Sequence, residues 1–167
     1  MSRYHSRRGV AGFWTLLGVA TVASIIFWML VIPFWYGTWK DTDSVINRAQ
    51  VAAEAEDMLG YMQDLKANLE EHGMTDGYTA VIFKGPDNDL SLNYRAINRI
   101  IERLDGIKDM DKTGTTYQVA LDDIRGTIRE LPNPTDGYVW VAVWGWTLLV
   151  LLLWIVALIS WFFSDYA

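Results

Sequence analysis

From Gly9 to Trp39, and again from Gly137 to Ser164, the chain carries no charged side chain. Each run exceeds the ~20 residues with which a helix crosses a ~30 Å hydrocarbon layer. Two such runs in a chain of 167 residues exclude a wholly soluble protein, because one small domain cannot bury that much uninterrupted apolar surface. They lead instead to an all-α membrane protein, with two transmembrane helices flanking a small extracytoplasmic helical bundle and an extended strap as an optional further element. The divisions are a cytoplasmic basic arm over residues 1–9, a first transmembrane helix over 10–36, an extracytoplasmic helical domain over 37–137, a second transmembrane helix over 138–163 and a cytoplasmic tail over 164–167.

Basic residues set the orientation. Arg3, Arg7 and Arg8 precede the first run with no acid among them, and only Asp165 follows the second. A short basic arm stays in the cytoplasm, whereas long loops cross largely regardless of charge. Both termini are therefore expected inside, with the central domain periplasmic or external. Of the 14 basic and 20 acidic residues, three Arg and Asp165 lie at the ends, so the middle keeps 11 basic against 19 acidic, a net charge of −8. That acidity argues against nucleic acid as a partner. Ser6-Arg7-Arg8-Gly9-Val10-Ala11 partly matches a twin-arginine export pattern, and Thr21-Val22-Ala23 is a weak cleavage site. The apolar run continues to Tyr36, too long for an ordinary signal peptide, so an uncleaved signal anchor is expected.

All nine Trp lie in or beside the two runs. Alternating steps of four and three visit Trp14, Gly18, Thr21, Ile25, Trp28, Ile32, Trp35 and Trp39 in the first, and Trp140, Trp144, Thr147, Leu151, Trp154, Leu158 and Trp161 in the second. A 3.5-residue period is the seam of a left-handed helix pair. Interfacial belts alone would explain most of these residues, but Trp28 and Trp154 fall nearer the hydrocarbon middle, where an indole N–H lacks water. The sharper expectation is that Trp14, Gly18, Thr21, Trp28 and Trp35, with Trp140, Trp144, Trp154 and Trp161, are membrane packing faces, between the spans or against another subunit. Neither run contains Asp, Glu, His, Lys or Arg. A pump, a transporter or a charged pore formed by this chain alone is accordingly not expected.

Between the runs, threes and fours separate Val45, Ala49, Ala52, Ala55, Leu59, Met62, Leu65 and Leu69. They predict one long helix, capped among Thr42, Asp43 and Ser44 and ended by Gly73. A second helix is predicted from Asp89, with Tyr94, Ile97, Ile100, Ile101, Leu104 and Ile107 inward. A third is predicted from Thr115, with Gln118 completing a capping box and Tyr117, Ala120, Leu121, Ile124, Ile128 and Leu131 inward. Pro132 and Pro134 stop it. Three helices in alternation would leave the chain at the wrong end of the domain. The expected remedy is Tyr78 to Lys84 running back as an extended strand or irregular strap, making four passes; the alternative is a helix broken near Gly60 or lying along the bilayer.

Catalytic groups are few. With no Cys and only His5 and His72, neither a metal cluster nor a Ser/His/Asp set through Ser44 or Ser91 has suitable spacing. No cofactor is expected. Asp109, Asp111 and Thr113, followed by Gly114, match the opening of a calcium loop, but Ala120 stands where the bidentate acid belongs. A polar turn that Gly114 bends and Thr115 caps accounts for the same residues. Asp87-Asn88-Asp89 fits a calcium loop less well and reads as a turn and helix cap. Arg95, Arg99, Glu102 and Arg103 read as a solvated helical face. The functional expectation is a non-catalytic accessory or structural subunit of a larger membrane assembly, in contact with the lipid bilayer and with other integral membrane proteins or its own copies. The alternative is a membrane-anchored sensor or regulator whose outer bundle binds a ligand or an exported protein.

Overall fold

The computed structural model describes residues 3–133 and 135–164. Pro134, Asp165 and Tyr166, together with the amino terminus itself, lie outside the described residues. The helices are α1 (Arg3–Asp41), α2 (Asp43–Val51), α3 (Ala55–Glu71), α4 (Leu90–Ile107), α5 (Thr115–Arg129) and α6 (Thr135–Ser164), with a short 3-10 turn at Pro86–Asn88. α1 and α6 contain segments long and apolar enough to cross a membrane. The chain divides into an apolar unit, holding the described residues up to Phe34 and from Ala142 onward, and a polar unit, Trp35–Val141.

In the apolar unit Ala20 and Ala157 are fully buried, the pattern expected where small side chains let two helix backbones approach. The Trp154 Nε1–H donates to Ser24 Oγ at 3.0 Å, and Ser24 in turn donates to the Ala20 carbonyl at 2.8 Å. The indole N–H thus gains a side-chain partner within the apolar unit. Pro33 lies inside α1 without ending it, and the helix runs on through Trp39 to Asp41.

α2 to α5 surround one core in the polar unit, with α2 on α3, α3 on α4, and α5 on both α4 and α2. Met58, Met62, Leu65, Leu69, Ile97, Ile100, Leu104, Tyr117, Leu121, Ile124 and Ile128 fill it. All but Met58 are inward positions of the sequence pattern, and each aliphatic side chain so buried contributes about 2 kcal/mol. The predicted first helix is broken at residues 52–54, upstream of Gly60, into α2 and α3. α5 stabilises the break. The Tyr117 hydroxyl accepts the Ala55 N–H at 2.9 Å, and Arg125 Nη2 donates to the Ala52 carbonyl at 2.9 Å. Lys112 pairs with Glu54 beside them. Four passes result, but the fourth comes from this break rather than from the strap.

Gly73 ends α3 as expected, in the left-handed region at φ 69°. Its N–H bonds to the Glu70 carbonyl and that of Met74 to the Leu69 carbonyl, while Met74 and Leu69 are both buried. This is the Schellman arrangement. Asp89 caps α4 through the Ser91 and Leu92 N–H groups. The capping box at Thr115 does not form, because the N-cap of α5 is Gly114 and Gln118 Nε2 reaches instead to the Lys112 carbonyl. Thr42 likewise makes no side-chain cap for α2. Residues 78–84 are an irregular strap whose ladder pairing is a single bridge between Tyr78 and Asp89.

Candidate functional site

The Trp line of α1 lies beside the helix's buried line. Half-buried Phe13, Leu17, Ser24, Phe27 and Val31 join buried Ala20 on one side, and the Trp line is displaced from them by one residue, about 100° around the helix. Trp14 is 62% exposed and Trp28 53%, and Gly18, Thr21 and Trp35 are also exposed. A Cβ at Gly18 would meet nothing within 4 Å. The Thr21 hydroxyl is satisfied by the Leu17 carbonyl at 2.8 Å. On α6, Trp140, Trp144 and Trp161 are exposed, and Trp154 is half-buried against Ser24. Of the expected packing residues, Trp154 therefore serves contact between α1 and α6. Those on α1 present an open face.

The same unit holds an apolar cleft of about 490 Å³, lined by Phe27, Leu30 and Phe34 from α1 and by Val143, Trp146 and Leu149 from α6. None of its lining residues is charged. It suits an acyl chain or aliphatic side chains, and it offers no means of stabilising an ion.

Within the polar unit, the end of α1, the end of α3 and the start of α6 meet in a hydrogen-bonded clamp. Thr42 Oγ1 lies 2.7 Å from Thr135 Oγ1 and also donates to the Thr38 carbonyl at 2.7 Å. Asn68 Nδ2 donates to the Asp41 carbonyl at 2.6 Å, His72 Nε2 lies 3.4 Å from Asp41 Oδ2, and the Tyr138 hydroxyl donates to the His72 carbonyl at 2.6 Å. His72, which follows the end of α3, is a joint between these elements. Thr42 and Thr135 each lie just outside an apolar run, and nothing else in the sequence marks this clamp.

Asp111 is occupied by its own turn. Oδ1 accepts from the Thr113 N–H at 3.0 Å and the Thr113 hydroxyl at 2.7 Å, and these bonds hold the carboxyl below its usual range. Asp109 is exposed, and Ala120 is half-buried on α5. Among the described residues no group of three or more His, Asp or Glu side chains is placed to hold a metal ion. A separate recess of about 400 Å³ lies between the Pro86–Asn88 turn, α4 and the end of α5. Asp87, Asp89 and Glu130 line it beside Leu92, Leu131 and Asn93, whose Oδ1 is buried without a hydrogen-bond partner. Periodicity alone would place Asn93 on the inward face of α4 yet say nothing of the recess.

No family model, curated protein or solved structure matches the chain.

Proposed function

We propose that this protein is a non-catalytic accessory or structural subunit of a larger membrane assembly. α1 and α6 cross the bilayer, α1 as an uncleaved signal anchor, with both termini in the cytoplasm and the acidic domain of α2 to α5 on the periplasmic or external side. The observation that carries this reading is the open Trp face of α1. Five residues at seam spacing, Trp14, Gly18, Thr21, Trp28 and Trp35, are exposed. A helix from another integral membrane protein, or from a second copy, would pack there through close van der Waals contact, with Gly18 allowing near approach. Arg3, Arg7 and Arg8 support the orientation. Crosslinking in native membranes and purification in mild detergent test the proposal. Stable, stoichiometric neighbours that are lost on Trp28→Leu are expected; unchanged co-purification of that variant rejects the packing face.

A second reading, a sensor or regulator, is favoured by the recess between α4 and α5. Three carboxylates and the orphan Asn93 oxygen would suit a ligand rich in hydrogen-bond donors. Crosslinks that change when such a ligand is added would favour it over a permanent subunit.

A further inference from the structure

Three consecutive exposed apolar side chains of the polar unit lie at the tip of the strap. Phe83 is 86% exposed, Ile82 71% and Val81 42%. Three adjacent apolar residues on an otherwise acidic domain are not held in water by lack of structure around them, because the segment is pinned on both sides. Asn88 Nδ2 donates to the Phe83 carbonyl at 2.7 Å, Asn88 Oδ1 accepts the Gly85 N–H at 3.1 Å, and the Thr79 N–H bonds to the Asn88 carbonyl at 2.9 Å. The Phe83 carbonyl is satisfied from behind while the three side chains stay exposed.

The strap is also anchored where the chain enters α6. A Cβ on Gly137 would lie 2.6 Å from Thr79 Cβ and 3.0 Å from the Thr79 carbonyl oxygen, so this approach requires glycine. Gly137 begins the segment of α6 able to cross a membrane, and exposed Trp140 follows within one turn. Val81 to Phe83 lie two to four residues beyond Thr79, a reach of at most ~14 Å. Tyr78 and Lys84 flank them, with Lys84 Nζ 5.3 Å from the Tyr78 ring centroid. A short apolar tip bordered by Tyr and Lys, beside a Trp-bearing helix entrance, has the composition of the boundary between headgroups and acyl chains.

We propose that Val81, Ile82 and Phe83 insert into the headgroup–acyl boundary of the same bilayer that α1 and α6 cross, giving the domain a third point of attachment. The occupant of this surface is lipid. With a domain charge of −8 read from the sequence, attachment rests on apolar burial and does not need anionic lipid. The proposal depends on the membrane-spanning reading of α1 and α6.

The chain has no Cys, so Met29→Cys, Phe83→Cys and Asp105→Cys each give one site for an environment-sensitive fluorophore in the full-length protein. Met29 is on the open face of α1, and Asp105 is on exposed α4 surface about 24 Å along the helix from Asp89. In phosphatidylcholine nanodiscs, the label at 83 should be blue-shifted, quenched by lipids spin-labelled high on the acyl chain and shielded from iodide. The label at 29 should be quenched by spin-labelled lipid, and that at 105 by iodide alone. A label at 83 that follows 105 while 29 stays in lipid overturns the insertion and leaves the spans standing. Shielding at 83 from both quenchers overturns it in favour of a second copy covering the tip. Quenching of position 29 by iodide instead of by lipid removes the membrane-spanning reading and the insertion with it.

Discussion

Thr42 Oγ1 and Thr135 Oγ1 lie 2.7 Å apart, both residues buried, across a sequence separation of 93. The pair joins the chain just after α1 to the first residue of α6, and each hydroxyl is shielded from water that could replace its partner. Thr135→Val strands Thr42 less than Thr42→Val strands Thr135, because Thr42 also bonds to the Thr38 carbonyl. Loss of about 1–3 kcal/mol is expected for Thr42→Val and less for Thr135→Val. Replacing both by Val should cost less than the sum of the two, as chemical unfolding in detergent would measure.

Tyr117→Phe isolates the break between α2 and α3. The ring stays, while the acceptor for the Ala55 N–H at 2.9 Å is removed. Destabilisation of about 1–3 kcal/mol is expected, with faster hydrogen exchange concentrated at residues 52–56. A uniform change across all the helices would show that the hydroxyl does not hold the break.

Gly137→Ala should release the strap. Its new Cβ meets both the side chain and the backbone of Thr79, so Thr79→Gly relieves only part of the overlap. The expected cost is about 1–3 kcal/mol. Limited proteolysis should cut residues 78–85 more readily in this variant, with α4 and α5 remaining protected.

Ser24→Ala removes the acceptor for the Trp154 indole at 3.0 Å. Interhelical hydrogen bonds in a bilayer are worth about 0.6–2 kcal/mol, and a loss of that size is expected in denaturant titration of the bicelle-embedded protein. Trp154→Phe in the Ser24→Ala background should then add little beyond lost packing area.

Acid stability should depend on Asp89. The Ser91 hydroxyl and the Ser91 and Leu92 N–H groups bond to its carboxylate and hold the carboxyl below the ordinary 3.8, with Arg95 adding to the effect. A carboxyl depressed in the folded state stabilises above the unfolded value of 3.8 and loses that contribution as pH falls through the lower folded value. Asp89→Asn should therefore flatten the acid limb of the stability curve below about pH 4, read from circular dichroism midpoints. An unchanged limb would place the acid sensitivity on other carboxylates.

Apolar spacing in the sequence located the long apolar helices, the inward residues of α3, α4 and α5, the Gly73 terminus and the Asp89 cap, because each depends on nearby side chains or on backbone conformation. The position of the α2/α3 break was invisible by the same logic. Ala52 and Ala53 favour helix, and the groups that stabilise the interruption, Tyr117 and Arg125, are more than sixty residues away. The capping box failed because Thr115 begins the helix rather than preceding it. For the packing faces, period revealed the Trp line but not its direction. Only the burial of Ala20 beside exposed Trp14 and Gly18 distinguishes the side of α1 turned to its own partner from the side left open.

The interruption at residues 52–54 also fixes a parity. With four rods between α1 and α6, the polypeptide finishes its excursion at the end where it began, and α6 can start beside Thr42. Fusing α2 to α3 or deleting any single rod would deliver α6 to the opposite end, beyond reach of Thr42. Additions to this domain that preserve the joint must therefore come as hairpins, two rods at a time.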